Sequence, residues 1–165
     1  MPSRPEALVL RPYRAEDCPA LISLFQDTVR HVCAIDYTPP QLTAWSGNPL
    51  EDVWDASFRS HYTLVALLGE EIAGFADLAP GTDSSPGAYL DRLYVHKDHQ
   101  RKGIAAALCD ALEAAAKPGR IYTHASLTAR PFFLARGYQE VHRQTVERLG
   151  VKMDNFVMEK HLPRS

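Results

Sequence analysis

The sequence predicts a single mixed α/β domain, and three features carry that reading. Strand-like and helical stretches interleave along the chain. Its 165 residues suffice for one buried core. No internal repeat or low-complexity tract breaks the pattern. The expected order is a strand, helices, three strands, a helix, a strand, a helix and two strands, within one domain spanning 1–165.

Ala7 to Arg11 (ALVLR) reads as the first short strand. Glu16 to Val32 switches to helical spacing, with Leu21, Leu24, Phe25, Thr28, Val29 and Val32 on one face. Ser23, Gln26, Asp27 and Arg30 fall opposite, and Pro19 is early enough for a first turn. Residues 34–60 read as irregular, although Pro39-Pro40 and Pro49 can each open a short helix, QLTAW and LEDVWDASF. Tyr62 to Leu68 and Ile72 to Ala79 form an expected hairpin around Gly69-Glu70-Glu71. Pro80 to Gly87 (PGTDSSPG) is a loop too short to divide domains. Tyr89 to Val95 is the next strand, followed by a helix from about Gly103 to Ala116 that Lys117-Pro118-Gly119 stops. Ile121 to Ala125 is strand-like, and Thr128 to Arg136 is a short helix closed by Gly137. Tyr138 to Glu147 and Val151 to Lys160 are the last strands, with Leu149-Gly150 between them.

Composition narrows the function classes. A net charge of −2 and a pI near 6.4 argue against broad electrostatic binding to nucleic acid or an anionic membrane. Cys18, Cys33 and Cys109 are too few and too scattered for a disulfide framework, and no CxxC pair suggests zinc. The start MPSRPEALVL, with Arg4 and Glu6 before a very short apolar run, does not read as a signal peptide, and nothing approaches a membrane span. A cytoplasmic protein is the expectation.

The stretch HKDHQRKGIAAAL, His96 to Leu108, is the most informative. Arg101 and Lys102 precede a helix start, where free N–H groups and the summed peptide dipoles already place positive charge. Repulsion becomes attraction once a phosphate or pyrophosphate arrives, because N–H groups, dipole and cations converge on it. Gly103 lets the backbone approach such a ligand, and Ala105 and Ala106 keep the first turn small. A solvated basic turn before an ordinary helix is the competing explanation. Neither GxxxxGK[ST] nor a GxGxxG after the first strand occurs, which weakens P-loop and Rossmann assignments.

These residues resemble a known family. LYVHKDHQRKGIAAALCDALE is similar to motif A of the GCN5-related N-acetyltransferases, in which a strand leads into Q/R-x-x-G-x-G/A, here Gln100 to Ala105. HASLTARPFFLARGY resembles the family's later strand–helix motif, and LRPYRAEDCPALISLF its first strand and helix. The resemblance covers most of the chain, with 34–60 the most divergent. It implies a central, mostly antiparallel sheet with splayed parallel central strands, flanked by helices, and acetyl-CoA as cosubstrate. It also implies that the amides of Arg101, Lys102, Gly103, Ile104, Ala105 and Ala106 hold the pyrophosphate. The strand Leu93, Tyr94 and Val95 would pair with the pantetheine, the backbone of Leu93 and Val95 making the bonds, and Ser126, Arg130 and Phe133 would line the cofactor arm.

Acetyl transfer to an amine needs a base for the ammonium proton, donors for the developing oxyanion and help for the leaving thiolate. The resemblance offers the Val95 N–H, or a neighbour, for the oxyanion. Many members carry a tyrosine four residues before the glycine of the later motif; here that position is Phe133, which has no proton to give. Ser126, Tyr122 or a water are the substitutes. For the base, alternation puts Asp91 on one face with Leu93 and Val95, where a carboxylate among apolar groups titrates high. Asp77, on the preceding strand, is the second candidate. Either carboxylate could equally be ion-paired or solvated.

Histidines are read conservatively. His96-x-x-His99 lacks a third ligand at suitable spacing, so no metal is expected, and His124 on a strand reads as a core residue. Cys33 reads as a small core residue rather than an acyl-accepting thiol. Tyr37, Trp45 and Trp54 pack as a lid on the first helix or form an acceptor site in which aromatic faces hold a cation, with Asp36 adding charge attraction. The leading expectation is an acetyl-CoA-dependent N-acetyltransferase acting on a small-molecule or peptide amine by direct attack. A non-catalytic acyl-CoA-binding module is the alternative, and an unrelated nucleotide-binding domain lacks any adenine or metal signature. The final strand pair suits a homodimer as well as a monomer.

Overall fold

A computed structural model describes residues 7–116 and 118–164. Arg4, Glu6 and Lys117, named above, lie outside these. Seven strands form one sheet in the order β1-β2-β3-β4-β5-β7-β6. They are β1 (Leu8–Pro12), β2 (Tyr62–Leu68), β3 (Glu71–Pro80), β4 (Ala88–Val95), β5 (Gly119–Ser126), β6 (Gln139–Arg148) and β7 (Val151–Leu162). All neighbours are antiparallel except the central pair β4 and β5. This is the mixed, mostly antiparallel sheet that the family resemblance implies.

Helices cover both faces. On one, α1 (Cys18–Val32) buries Leu21, Leu24, Phe25, Thr28 and Val29, the face expected from their spacing. Its expected start at Glu16 moves to Cys18, because Ala15–Asp17 form a 3₁₀ turn. There the Asp17 carboxylate accepts from the Arg14 N–H (2.8 Å) and from the Arg11 guanidinium (2.7 and 2.8 Å). The stretch read as irregular is mostly helical. Thr38 and Gln41 close a capping box on α2 (Pro39–Ser46), and α3 (Glu51–Ser60) follows. On the other face α4 (Ile104–Ala115) and the short α5 (Arg130–Ala135) pack over Leu64, Ala76, Leu90, Ile121 and Met158. The last helix is shorter than expected, since the Ser126 hydroxyl accepts from the Ala129 N–H (3.0 Å) and holds 126–129 as a turn.

Two departures at the sheet centre set up everything functional. The parallel pairing of β4 with β5 covers only Ala88↔Ile121, Tyr89↔Tyr122 and Leu90↔Thr123, after which the strands separate. The Thr123 hydroxyl donates to the Leu90 carbonyl (2.8 Å) at that last pair. At the same point β4 bulges against β3: Asp77 pairs with Arg92 and Leu78 with Leu90, so Asp91 is the extra residue. The expectation that Asp91, Leu93 and Val95 share a face is corrected by this bulge. It resets the alternation, so that Leu90, Leu93 and Val95 join the α4-side core while Tyr94 packs on the α1 side.

The bulge rests on a buried ion cluster. Asp77 is fully buried; it accepts from the Arg92 N–H (2.8 Å), the Arg92 guanidinium (2.5 Å) and His61 Nδ1 (2.8 Å). Arg92 also stacks over Trp54 and Phe58, 4.7 and 4.8 Å from their ring centres. Asp77→Ala strands a guanidinium and a main-chain N–H together, so we expect a loss of about 3–5 kcal/mol. Urea unfolding measures it, and an unchanged midpoint would show that the cluster is dispensable.

Candidate active site

The separation of β4 from β5 opens a cleft on the α4 side. The His96 N–H donates to the Ala73 carbonyl (2.8 Å), which fixes the phase of β4 and points the main-chain groups of Leu93 and Val95 away from β3 into the gap. The Val95 carbonyl is taken by the Thr28 hydroxyl (2.9 Å) and the Gln100 amide (2.7 Å). Its N–H, with both groups of Leu93, is left to serve an extended ligand as a strand edge does. The cleft holds about 460 Å³, and Leu93, Tyr94, Val95, Ala125, Ser126 and Phe133 line it.

Its mouth is the basic turn. Arg101 (φ 61°) and Gly103 (φ 80°) both adopt left-handed conformations, curling the chain so that successive N–H groups converge, as in anion-binding nests. The first intrahelical bond of α4 runs from Ala107 N to Gly103 O (3.0 Å), leaving the N–H groups of Ile104, Ala105 and Ala106 without helical partners. Gly74 permits this placement, because a Cβ there would lie 2.9 Å from the Tyr94 carbonyl and 3.2 Å from Ile104 Cγ2. Arg101, Gly103, Ile104, Ala105 and Ala106 line the cleft, whereas Lys102 does not. The Lys102 ammonium lies 3.0 Å from His99 Nδ1. Arg130 is also elsewhere: it pairs with Glu140 (2.7 Å) and stacks over Phe156.

On the opposite face a second cavity of about 560 Å³ lies between α1, α2, α3 and the ends of β6 and β7. Trp45, Asp91, Tyr94, His124 and Ser126 line both cavities. The two spaces therefore meet through the gap between β4 and β5, and Asp91 stands at the junction because the bulge puts it there.

Burial, then the negative charge of Asp77, pushes the Asp91 carboxyl above the ordinary carboxylate range. Arg92 (3.6 Å) and His61 (3.9 Å) offset this only in part. His124, read from the sequence as a core residue, is instead exposed at the junction, and partial burial lowers its pKa, so the ring is neutral at neutral pH. The Ser126 oxygen accepts from Ala129 N, which leaves its hydroxyl hydrogen available. Asp77 lines neither cavity, and its close partners are Arg92 of the bulge and His61 at the end of α3. Tyr122 is buried against Tyr89 and under Arg120, also away from both spaces. Phe133 lines the α4-side cleft, packed on Phe132 and Tyr138. Cys33 reaches that cleft too, but burial pushes its thiol up to about 11, so it is protonated at neutral pH.

The acceptor-side expectations divide. Tyr37, Trp45 and Trp54 line the second cavity, but Asp36 does not; it accepts from the Thr128 hydroxyl (2.8 Å). Tyr37 is a brace, its hydroxyl donating to the Asp154 carbonyl (2.8 Å) and accepting from Leu127 N (2.9 Å). The face of Trp54 is already covered by the protein's own Arg92. The missing third partner of His96 and His99 proves to be Glu71 of β3, 3.9 and 3.2 Å from their Nε2 atoms. Both rings accept at Nδ1, from the Asp98 N–H (3.0 Å) and the Lys102 ammonium. With both Nδ1 atoms accepting, each neutral ring carries its proton on Nε2, toward Glu71, and the buried Nε2 of His99 has no hydrogen-bond partner among the described residues.

Comparison with known proteins agrees with this geometry. Residues 33–160 match the family model described as an acetyltransferase (GNAT) domain. The chain is 30% identical over 149 residues to the uncharacterized N-acetyltransferase YafP of Escherichia coli strain K12, covering 90% of this chain and 93% of that protein. A GCN5-related N-acetyltransferase structure from Rhodopseudomonas palustris superposes with a TM-score of 0.87 at 31% identity, over 98% of this chain and 100% of that one. The PaiA N-acetyltransferase of Thermoplasma acidophilum, solved with coenzyme A, shares the fold at 16% identity (TM-score 0.74; 94% and 99% covered). With its splayed central strands, basic turn and matching relatives, the chain belongs to the GCN5-related N-acetyltransferase family.

Proposed function

We propose that the protein transfers the acetyl group of acetyl-CoA to an amine by direct attack within a ternary complex. The observation that carries this reading is the junction: a cofactor-side cleft and an acceptor-side cavity meet through the sheet at Asp91, Tyr94, His124 and Ser126. Acetyl-CoA supplies an acyl group activated as a thioester. The turn from Arg101 to Ala106 suits its pyrophosphate, through converging N–H groups and the Arg101 guanidinium, which has no ion pair among the described residues. The edge of Leu93 and Val95 suits the amide groups of its arm. Coenzyme A in the PaiA complex supports the same choice.

At the junction each group has a task that its surroundings fit. Asp91 takes the proton of the incoming ammonium, and its raised pKa makes it a stronger base than an ordinary carboxylate. The Val95 N–H is the donor for the oxygen on which charge develops. Ser126 offers its hydroxyl hydrogen to the departing sulfur. The protonated Cys33 thiol is a poor nucleophile, which favours direct transfer over an acyl-enzyme.

Two experiments test this. Arg101→Glu should weaken acetyl-CoA binding by more than about tenfold, or ~1.4 kcal/mol, in calorimetric titration with ATP as control. An unchanged Kd would remove the turn from the site. Asp91→Asn should lower kcat by about a hundred- to ten-thousandfold and abolish the acid limb of the pH–rate profile, on which activity rises as Asp91 loses its proton. The same substitution should raise Tm at neutral pH. A carboxyl with a raised folded-state pKa penalises the fold when ionised, and that penalty fades as pH falls through the folded pKa. Wild-type kcat in Asp91→Asn would refute the assignment.

A further inference from the structure

Arg148 is the last residue of β6, held at the rim of the acceptor-side cavity by a tight turn whose two residues, Leu149 (φ 49°) and Gly150 (φ 78°), are both left-handed. Strand alternation places it on the same face as Val146, whose partner across the ladder is Met153, and all three line the cavity. The cavity's other charges are accounted for. Arg92 is neutralised by Asp77, and Asp154 is taken by Arg143 (2.8 Å) and Thr145 (2.6 Å). Among the described residues Arg148 makes no ion pair and no side-chain hydrogen bond. Two groups are therefore left to act on a ligand in this space: the unpaired Arg148 guanidinium at the rim, and the Asp91 carboxyl at the junction, which Arg92 and His61 offset only in part. Burial governs the titration of His124, Tyr89 and Tyr94, and the charge of Arg148 acts on all three as a secondary cause, so the guanidinium is electrically close to the junction.

An exposed cation at the rim and a carboxylate at the junction of one cavity favour a ligand of opposite layout. We infer that the acceptor is an amine that also bears a carboxylate, of the amino-acid class, its amine directed to Asp91 and its carboxylate bound by the planar fork of Arg148. This rests on the transfer reading above and narrows it. Guanidinium pairs with carboxylate through two parallel N–H···O bonds, which orients the ligand as well as holding it. The rings of Trp54, Tyr89 and Tyr94 offer apolar wall between the two ends. A polyamine would instead bring a second positive charge against Arg148.

The test uses pairs that differ only by the carboxylate: L-phenylalanine with 2-phenylethylamine, and L-lysine with cadaverine. Each is titrated calorimetrically into the protein saturated with CoA, which permits binding without turnover. The expected result is that at least one amino acid binds about tenfold or more tighter than its decarboxylated partner. That contrast should vanish in Arg148→Gln and return in part in Arg148→Lys, with the acetyl-CoA Kd of each variant as the folding control. Equal or tighter binding of the amines, a contrast that survives Arg148→Gln, or no saturable binding by either pair overturns the inference. Thiol release from acetyl-CoA, followed in parallel, separates the two proposals. Release with the amines but not the amino acids sinks the carboxylate site and leaves transfer standing. A binding contrast without release from any acceptor keeps the site and sinks the transfer.

Discussion

Where β4 gains its extra residue, the ladder to β3 is interrupted, and the Arg92 N–H donates to the Asp77 carboxylate. A buried N–H left without an acceptor costs about 1–3 kcal/mol. The buried carboxylate itself demands compensation, which the Arg92 guanidinium and His61 provide. Bulge and buried ion cluster are thus tied together beneath the sheet centre. The cluster in turn acts on Asp91, the residue that the bulge displaces. The negative charge of Asp77 adds to burial in raising the Asp91 pKa. The carboxylate that holds the bulge is thus also the one that tunes the proposed base.

The bulge and the end of parallel pairing coincide at Leu90, so the strand bends as its neighbour leaves. A continuous sheet would wall the α4 face off from the α1 face; the gap joins them. The two faces offer ligands different groups. The α4-side cleft presents backbone: N–H groups of the turn and of a helix start, and the open edge of Leu93 and Val95. The opposite cavity presents mainly side chains on α1, α2, α3, β6 and β7.

Periodicity made the elements legible, down to the buried face of α1 and the hairpin of β2 and β3. The basic turn was legible too, because two cations before a glycine and a helix start have few physical uses. The bulge was not. An extra residue shifts alternation by one without altering composition, so Asp91 read as a neighbour of Leu93 and Val95 on a shared face. Asp77 looked like a candidate base because a strand carboxylate carries no mark of its partners; His61 and Arg92 are 16 and 15 residues away. Glu71 joins His96 and His99 only through the pairing of β3 with β4. Arg148 lies one residue past the strand expected from Tyr138 to Glu147, and only the fold brings it over the cavity.

The same balance of charges explains why Phe133 is tolerable in place of a hydroxyl-bearing ring. Freeing an amine of pKa near 10.4 from its proton at pH 7 costs about 4–5 kcal/mol, whereas releasing a thiolate of pKa near 8.5 without protonating it forgoes only about 2 kcal/mol. The base is the more demanding partner of the two. This chain keeps a carboxyl with a raised pKa at the junction, and a hydroxyl hydrogen on Ser126 beside it. Phe133 itself packs edge-on against Phe132 and Tyr138 at the root of α5. In the proposed mechanism the larger energetic demand falls to the carboxyl that the sheet's irregularity places at the junction, and the smaller one to a hydrogen bond from Ser126.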